Sequence, residues 1–244
     1  WKLNLETVNK WIKETPDHPA PYLAKAEILI SYAWDARGSG WAKDVTESQW
    51  SLFNSRIAEA RQVLEDSAAV SGNHPYWFLT MEIVAKAQNW NIQEFEQLYN
   101  SAIYAYPTYY YIYFRAADYF QPRWHGSRKL LRQFVDNAVN KSRHKEGLTL
   151  YTRIYWSQLW ALKDDTFAPG YAEWNLMKQG FEDIMKDYPN SAWNLNAYAY
   201  YSCMAKDWST TKQLTSKIED NPHLSIWGSR SRYFTCKSKS KLNN

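Results

Sequence analysis

Apolar residues recur along this chain at the spacing of amphipathic helices. The stretch from Phe181 to Trp208, FEDIMKDYPNSAWNLNAYAYYSCMAKDW, reads as the end of one helix, a Tyr-Pro corner and a second helix. Its apolar stripe has a counterpart. Ile92, Phe95, Tyr99, Ala102, Ile103 and Tyr106, followed by Pro107, return 82 positions later as Trp174, Met177, Phe181, Ile184, Met185 and Tyr188, followed by Pro189. Both sets step i, i+3, i+7, i+10, i+11, i+14, which is one face of a helix. Both stop at Tyr-Pro, because proline disfavours helical backbone in the residue before it.

An offset of 82 is about two repeats of tetratricopeptide size. Further corners extend the series: His18-Pro19, His74-Pro75 and Asn221-Pro222 each stand between two helical patterns. The pattern predicts a first hairpin over 5–14 and 21–36, broken by the glycines of the 34–42 loop. Thr46 with Gln49 forms a capping-box pattern for the next helix, whose apolar stripe is Trp50, Phe53, Ile57, Ala60 and Leu64. Its partner spans 75–88. Asn91, three residues before Glu94, opens a third pair that ends in the tyrosine-rich helix 109–120. Ser127 caps a fourth pair with partner 147–162, the opening hairpin is the fifth, and a shorter sixth runs over 209–236. No strand-period segment competes. The predicted fold is all-α: an α-solenoid of about six stacked antiparallel helix pairs, tetratricopeptide-like, with no sheet. The expectation is a single helical-repeat domain over 1–236, trimmed at its N-terminus since the chain starts at Trp1 and not at Met, followed by a basic flexible tail over 237–244.

Composition alters this picture little. The chain of 244 residues carries 14 Trp and 19 Tyr against 8 Gly, so the core is aromatic and needs internal hydrogen-bond partners. Net charge is +4, and Lys237, Lys239 and Lys241 account for three of those charges, leaving +1, which gives no case for nucleic acid. No segment has the length of a membrane span. Cys203 lies 14 residues after Pro189 and Cys236 14 after Pro222. Equivalent positions on helices about 8–10 Å apart predict two free, mostly buried thiols, which favours the cytoplasm slightly and leaves a periplasmic or secreted location open.

Several stretches also resemble a bacterial family, domain-of-unknown-function family 4034, which is tetratricopeptide-like. The residues that carry the resemblance are WKL at the start, YAWDARGSGWA over 32–42, YPTYYYIYFRAADYFQPRW over 106–124 and YPNSAWNLNAY over 188–198. The resemblance implies the same helical fold and carries no activity.

The candidate sites follow from residue type and place. Asp35, Arg37 and Trp41 in one loop, and Arg123 and Trp124 in another, either form a pocket or cap helix ends. Asn194 and Asn196 bracket Leu195. Asn196 falls on the inward stripe, as a structural bridge or a ligand contact. Between Arg123 and Lys145 seven basic residues face one acid, Asp136, with Arg128 and Arg132 on one helix face, a solvated face or a dock for an acidic partner. The five histidines lack metal-ligand spacing, and no phosphate loop or nucleophile motif is present, so no metal, cofactor or catalytic residue is assigned. The expectation is a non-enzymatic helical-repeat protein that binds a protein or peptide, as an adaptor or an immunity protein that neutralises an effector. Its lining would include Tyr109, Tyr110, Tyr113, Arg115, the two loops and Asn194. The alternative is a hydrolase or small-ligand enzyme with Asp35, Arg37, Arg123 and His125 converging on one cavity.

Overall fold

A computed structural model describes residues 1–243. Among them are fifteen α-helices and two 3-10 turns, and no strand. The chain divides into two compact units, Trp1–His125 and a second from Gly126 onward, where the sequence pattern had suggested one array over 1–236.

The first unit holds α1 (Lys2–Glu14), α2 (Pro19–Arg37), α3 (Glu47–Asp66), the short α4 (Ala68–Ser71), α5 (Pro75–Ala87), α6 (Ile92–Ala105) and α7 (Tyr110–Tyr119). Local chemistry sets the boundaries. Thr46 and Asn91 both form complete capping boxes, with Gln49 and Glu94 as the returning side chains. His18 and His74 are N-caps: each Nδ1 accepts from the backbone N–H two residues on, and proline follows as the first helical residue. The core lies where α2, α3 and α5 meet, with Leu29, Phe53, Ile57, Leu64 and Met81 buried and Ala26, Ala33 and Ala60 between them. Each large side chain buried there stabilises the fold by about 1.5–3 kcal/mol. Helix α2 continues through the expected 34–42 loop as far as Arg37 and ends at Gly38, whose φ of +74° is open to glycine.

The second unit holds α8 (Arg128–Glu146), α9 (Thr149–Ser157), α10 (Leu159–Leu162), α11 (Trp174–Asp187), α12 (Ala192–Met204), α13 (Trp208–Ile218), α14 (Leu224–Trp227) and α15 (Arg230–Leu242). The expected partner helix 147–162 is therefore two, broken at Gln158, and the short sixth pair is three. Gly180 on α11 permits close packing on α9: a Cβ there would lie 2.2 Å from Thr152 Oγ1 and 2.3 Å from the Leu148 carbonyl.

Two expectations fail here. Cys203 and Cys236 are joined in a disulfide that ties α12 to α15, with Cα atoms 5.9 Å apart. The expected separation of 8–10 Å belongs to helix axes, and Cα atoms lie about 2.3 Å off the axis, so facing positions approach much more closely. The cytoplasmic argument falls with the free thiols. The supposed flexible tail is also ordered as far as it is described. Residues 237–242 belong to α15, where Ser240 is buried and Lys237 bonds the Glu219 carbonyl (2.7 Å) and Asp220 (2.9 Å). Residue 244 lies outside the described residues.

Candidate functional site

The first unit carries a groove of about 520 Å³ lined by Arg61 of α3, Trp77 and Phe78 of α5, Trp90, and Glu94, Gln97, Leu98 and Ser101 of α6. Its apolar walls, Trp77, Phe78, Trp90 and Leu98, are half-buried: packed on one side and open on the other. The indoles are pinned from behind. Trp77 Nε1 donates to the Leu64 carbonyl (2.9 Å) and Trp90 Nε1 to Gln88 Oε1 (3.1 Å). The same Gln88 oxygen accepts from Arg61 Nη1 (3.3 Å), and the Arg61 guanidinium stands 4.8 Å from the Trp90 ring, held also by Glu65 (2.7 Å). With the N–H groups satisfied inward, the rings present carbon to the groove while Arg61, Gln97 and Ser101 supply polar groups beside them. A second cleft of about 440 Å³ includes Ile12 of α1, Tyr22 of α2 and Val63 of α3, so α3 lines both. Rigid aromatic walls with polar neighbours suit apolar anchor side chains of a partner.

Several of the residues singled out from the sequence are engaged within the chain, and others are exposed. Asp35 accepts from Trp1 Nε1 (2.9 Å). Arg37 donates to the carbonyls of Gly38 and Gly40 (both 3.1 Å) and packs on the Trp34 and Trp50 rings, closing its own loop. Trp41 is 79% exposed. Arg123 pairs with Asp118 (2.7 Å), and His125 Nε2 bonds the Lys86 carbonyl (3.0 Å). The two loops do approach each other, through Trp34 and Trp124 rings 6.0 Å apart, but Asp35 and Arg37 bond Trp1, Gly38 and Gly40, whereas Arg123 and His125 bond Asp118 and Lys86, which pair with each other. Tyr113 is 4% exposed and its hydroxyl bonds the Pro107 carbonyl (2.9 Å), so it is core; Tyr109 and Tyr110 are half-buried and Arg115 is exposed.

In the second unit, Arg128 is exposed and packs over Tyr171, while Arg132 is a staple. Its Nε donates to both Asp136 oxygens (3.0 Å each), Nη1 to the Tyr171 carbonyl (3.2 Å) and Nη2 to Glu173 (2.7 Å). Those bonds outweigh the cost of burial and raise its pKa. Asn194 and Asn196 are both buried. Asn196 is the bridge: Nδ2 donates to the Ala192 carbonyl (2.8 Å), and Oδ1 accepts from the His223 N–H and Trp227 Nε1 (2.9 Å each). This amide ties α12 to α14.

Charge is concentrated between α5 and α7. Lys86 is ion-paired with Asp118 and lies 4.4 Å from the Trp124 ring. Burial opposes ionisation of Asp118, yet Lys86 and Arg123 hold its carboxyl below the usual range; burial pushes Lys86 down against the pull of Asp118. One turn away, Glu82 is 2% exposed and neither carboxyl oxygen has a hydrogen-bond partner. Burial drives its pKa well up, with only the Arg115 charge acting the other way. Among the described residues no helix is long and apolar enough to cross a membrane. Comparison of the chain with protein-family models, curated proteins and solved structures finds no match.

Proposed function

We propose that this protein is a non-enzymatic helical-repeat interaction protein, and that the aromatic groove of its first unit holds an apolar segment of a protein or peptide partner. The observation that carries this reading is the set of half-buried rings, Trp77, Phe78 and Trp90, of which the two indoles are fixed by hydrogen bonds to Leu64 and Gln88, residues outside the groove lining. Side chains already immobilised lose little entropy on binding. Matching features support the repeat arrangement. Helices α6 and α11 start and stop 82 positions apart, and their terminal residues Tyr106 and Tyr188 share a backbone conformation, φ −133° ψ 62° and φ −129° ψ 61°. Thr15, also followed by proline, has φ −136° ψ 63°. A tetratricopeptide-like solenoid, with the resemblance to family 4034, is the arrangement this supports. The disulfide supports an oxidising compartment, where such bonds persist.

The test is selection of a random peptide display library on the full chain. Binders should share aromatic or aliphatic anchors and lose at least tenfold affinity for Ser101→Trp, which fills the groove from an exposed position. Peptides without apolar anchors, or equal binding to the filled variant, refute the assignment. The hydrolase reading draws on Asp35, Arg37, Arg123 and His125, whose hydrogen bonds go to Trp1, to Gly38 and Gly40, to Asp118 and to Lys86, and not to one another.

A further inference from the structure

The second unit holds a smaller cavity of about 240 Å³, walled in part by Trp160, Lys163, Asp164, Tyr200, Ile226 and Arg232. Its chemistry differs from that of the groove: two cations, one carboxylate and two aromatic side chains around a space too small for a peptide. The chain takes an unusual path to make it. Helix α10 ends at Leu162, and Lys163 adopts φ 48° ψ −128°, a conformation that L side chains rarely hold. This turn leads straight into a 3-10 turn, Lys163–Phe167, so that Lys163 and Asp164 both line the cavity. Glycine would relieve the backbone there but would supply no charge.

The charges are uncommitted. Lys163 and Asp164 are exposed and have no ion-pair partner among the described residues. Arg232 spends one N–H on the Tyr200 hydroxyl (3.1 Å), which orients the guanidinium. Asp164 is close enough to act on the same phenol: burial raises the Tyr200 pKa, Arg232 lowers it, and Asp164 raises it. Tyr200 is itself held by an edge contact with Trp227, ring centroids 5.5 Å apart. Trp160 is 86% exposed, a large apolar surface left to solvent beside a cavity.

We propose that this cavity binds a free apolar α-amino acid. Lys163 and Arg232 receive the α-carboxylate, Asp164 the α-ammonium, and Trp160, Tyr200 and Ile226 the side chain. A carboxylate alone would leave Asp164 opposed to it, and an amine alone would meet two like charges, so the zwitterion fits the three charges best. The volume lies below the roughly 300–1,000 Å³ of drug-sized sites, as a single amino acid requires.

Titration calorimetry of the full chain with L-phenylalanine, L-leucine and L-methionine tests this. At least one should bind saturably at a 1:1 ratio, and its amide and its N-acetyl derivative should each bind at least tenfold more weakly. Lys163→Gly removes the cation and the backbone strain together. It should melt at or above the wild-type temperature yet lose at least tenfold in affinity, which separates lost binding from lost folding. Arg232→Gln should lose a similar factor. The proposal is overturned if none of the three amino acids binds at millimolar concentration, if the blocked derivatives bind equally well, or if Lys163→Gly binds as the wild type does.

Discussion

Removing the bridge between Cys203 and Cys236 should destabilise the second unit by about 3–4 kcal/mol. The two residues are 33 apart, and the bridge joins α12 to α15. Closing a loop of that length removes about 12.5 cal/mol/K of entropy from the unfolded chain, or about 3.7 kcal/mol at 25 °C. Little native packing need change, because Tyr233 would still bond the Thr215 carbonyl and Lys237 the Glu219 carbonyl. The assay is urea unfolding of the wild type, the reduced wild type and the Cys203→Ala/Cys236→Ala variant. With a slope of about 1.5–3 kcal/mol/M the midpoint should fall by about 1–2.5 M, and the reduced protein should match the variant. Hydrogen exchange locates the effect: α15 amides should lose protection before those of α8 and α9. A loss under about 1 kcal/mol would refute the loop-closure reasoning. Two alkylated thiols in the native, unreduced protein would remove the bridge itself.

Glu82→Gln should become more stable relative to wild type as pH rises. The folded carboxyl keeps its proton above the unfolded value, so the wild type loses about 1.4 kcal/mol per pH unit between the two pKa values, a slope the variant lacks; a pH-independent difference would refute the assignment. Asp207→Asn should have the opposite dependence. Burial opposes its ionisation, but the Thr210 N–H, Lys178 and Trp174 hold the pKa down at about 2, so the wild-type carboxylate contributes about 1–2 kcal/mol above pH 4, lost as pH falls towards 2, and acid unfolding of the variant should lack that limb. Asn196→Ala strands the His223 N–H and Trp227 Nε1 and should cost about 2–4 kcal/mol by denaturant melts, with Trp227 fluorescence reporting the loosened α14. Arg132→Lys should weaken the second unit by about 1–3 kcal/mol, since one ammonium cannot reproduce the fork to Asp136, Tyr171 and Glu173.

What could be read from the sequence was what local chemistry decides. The all-α class, both capping boxes and the Tyr-Pro stops depend on residues within a turn of each other, and short-range sterics and hydrogen bonding leave few options there. The candidate residues were read less well because their role depends on what a distant segment brings. Arg132 resembles a free basic face until Tyr171 and Glu173, about forty positions away, consume its donors. The disulfide is hidden from a spacing rule because helix axes about 8–10 Å apart bring facing Cα atoms to 5.9 Å. The groove was missed for a deeper reason. Trp77 and Trp90 are the same residue type as buried Trp227 and exposed Trp41, and a pattern that counts aromatics as core filler cannot sort them.

One local signal did separate the groove from ordinary core. Trp90 stands in the turn between α5 and α6, one residue before the cap Asn91, where a large apolar side chain has no helix face of its own to complete. Its indole needs partners, and it takes them from the turn itself (Gln88) and from a neighbouring helix (Arg61). An aromatic placed at a corner by short-range geometry, and only half-buried there, shows part of its ring to solvent or to a ligand. That asymmetry, more than the number of aromatics, supports Trp90 as a binding element and Trp227, enclosed by Asn196, Tyr200 and Tyr233, as a structural one.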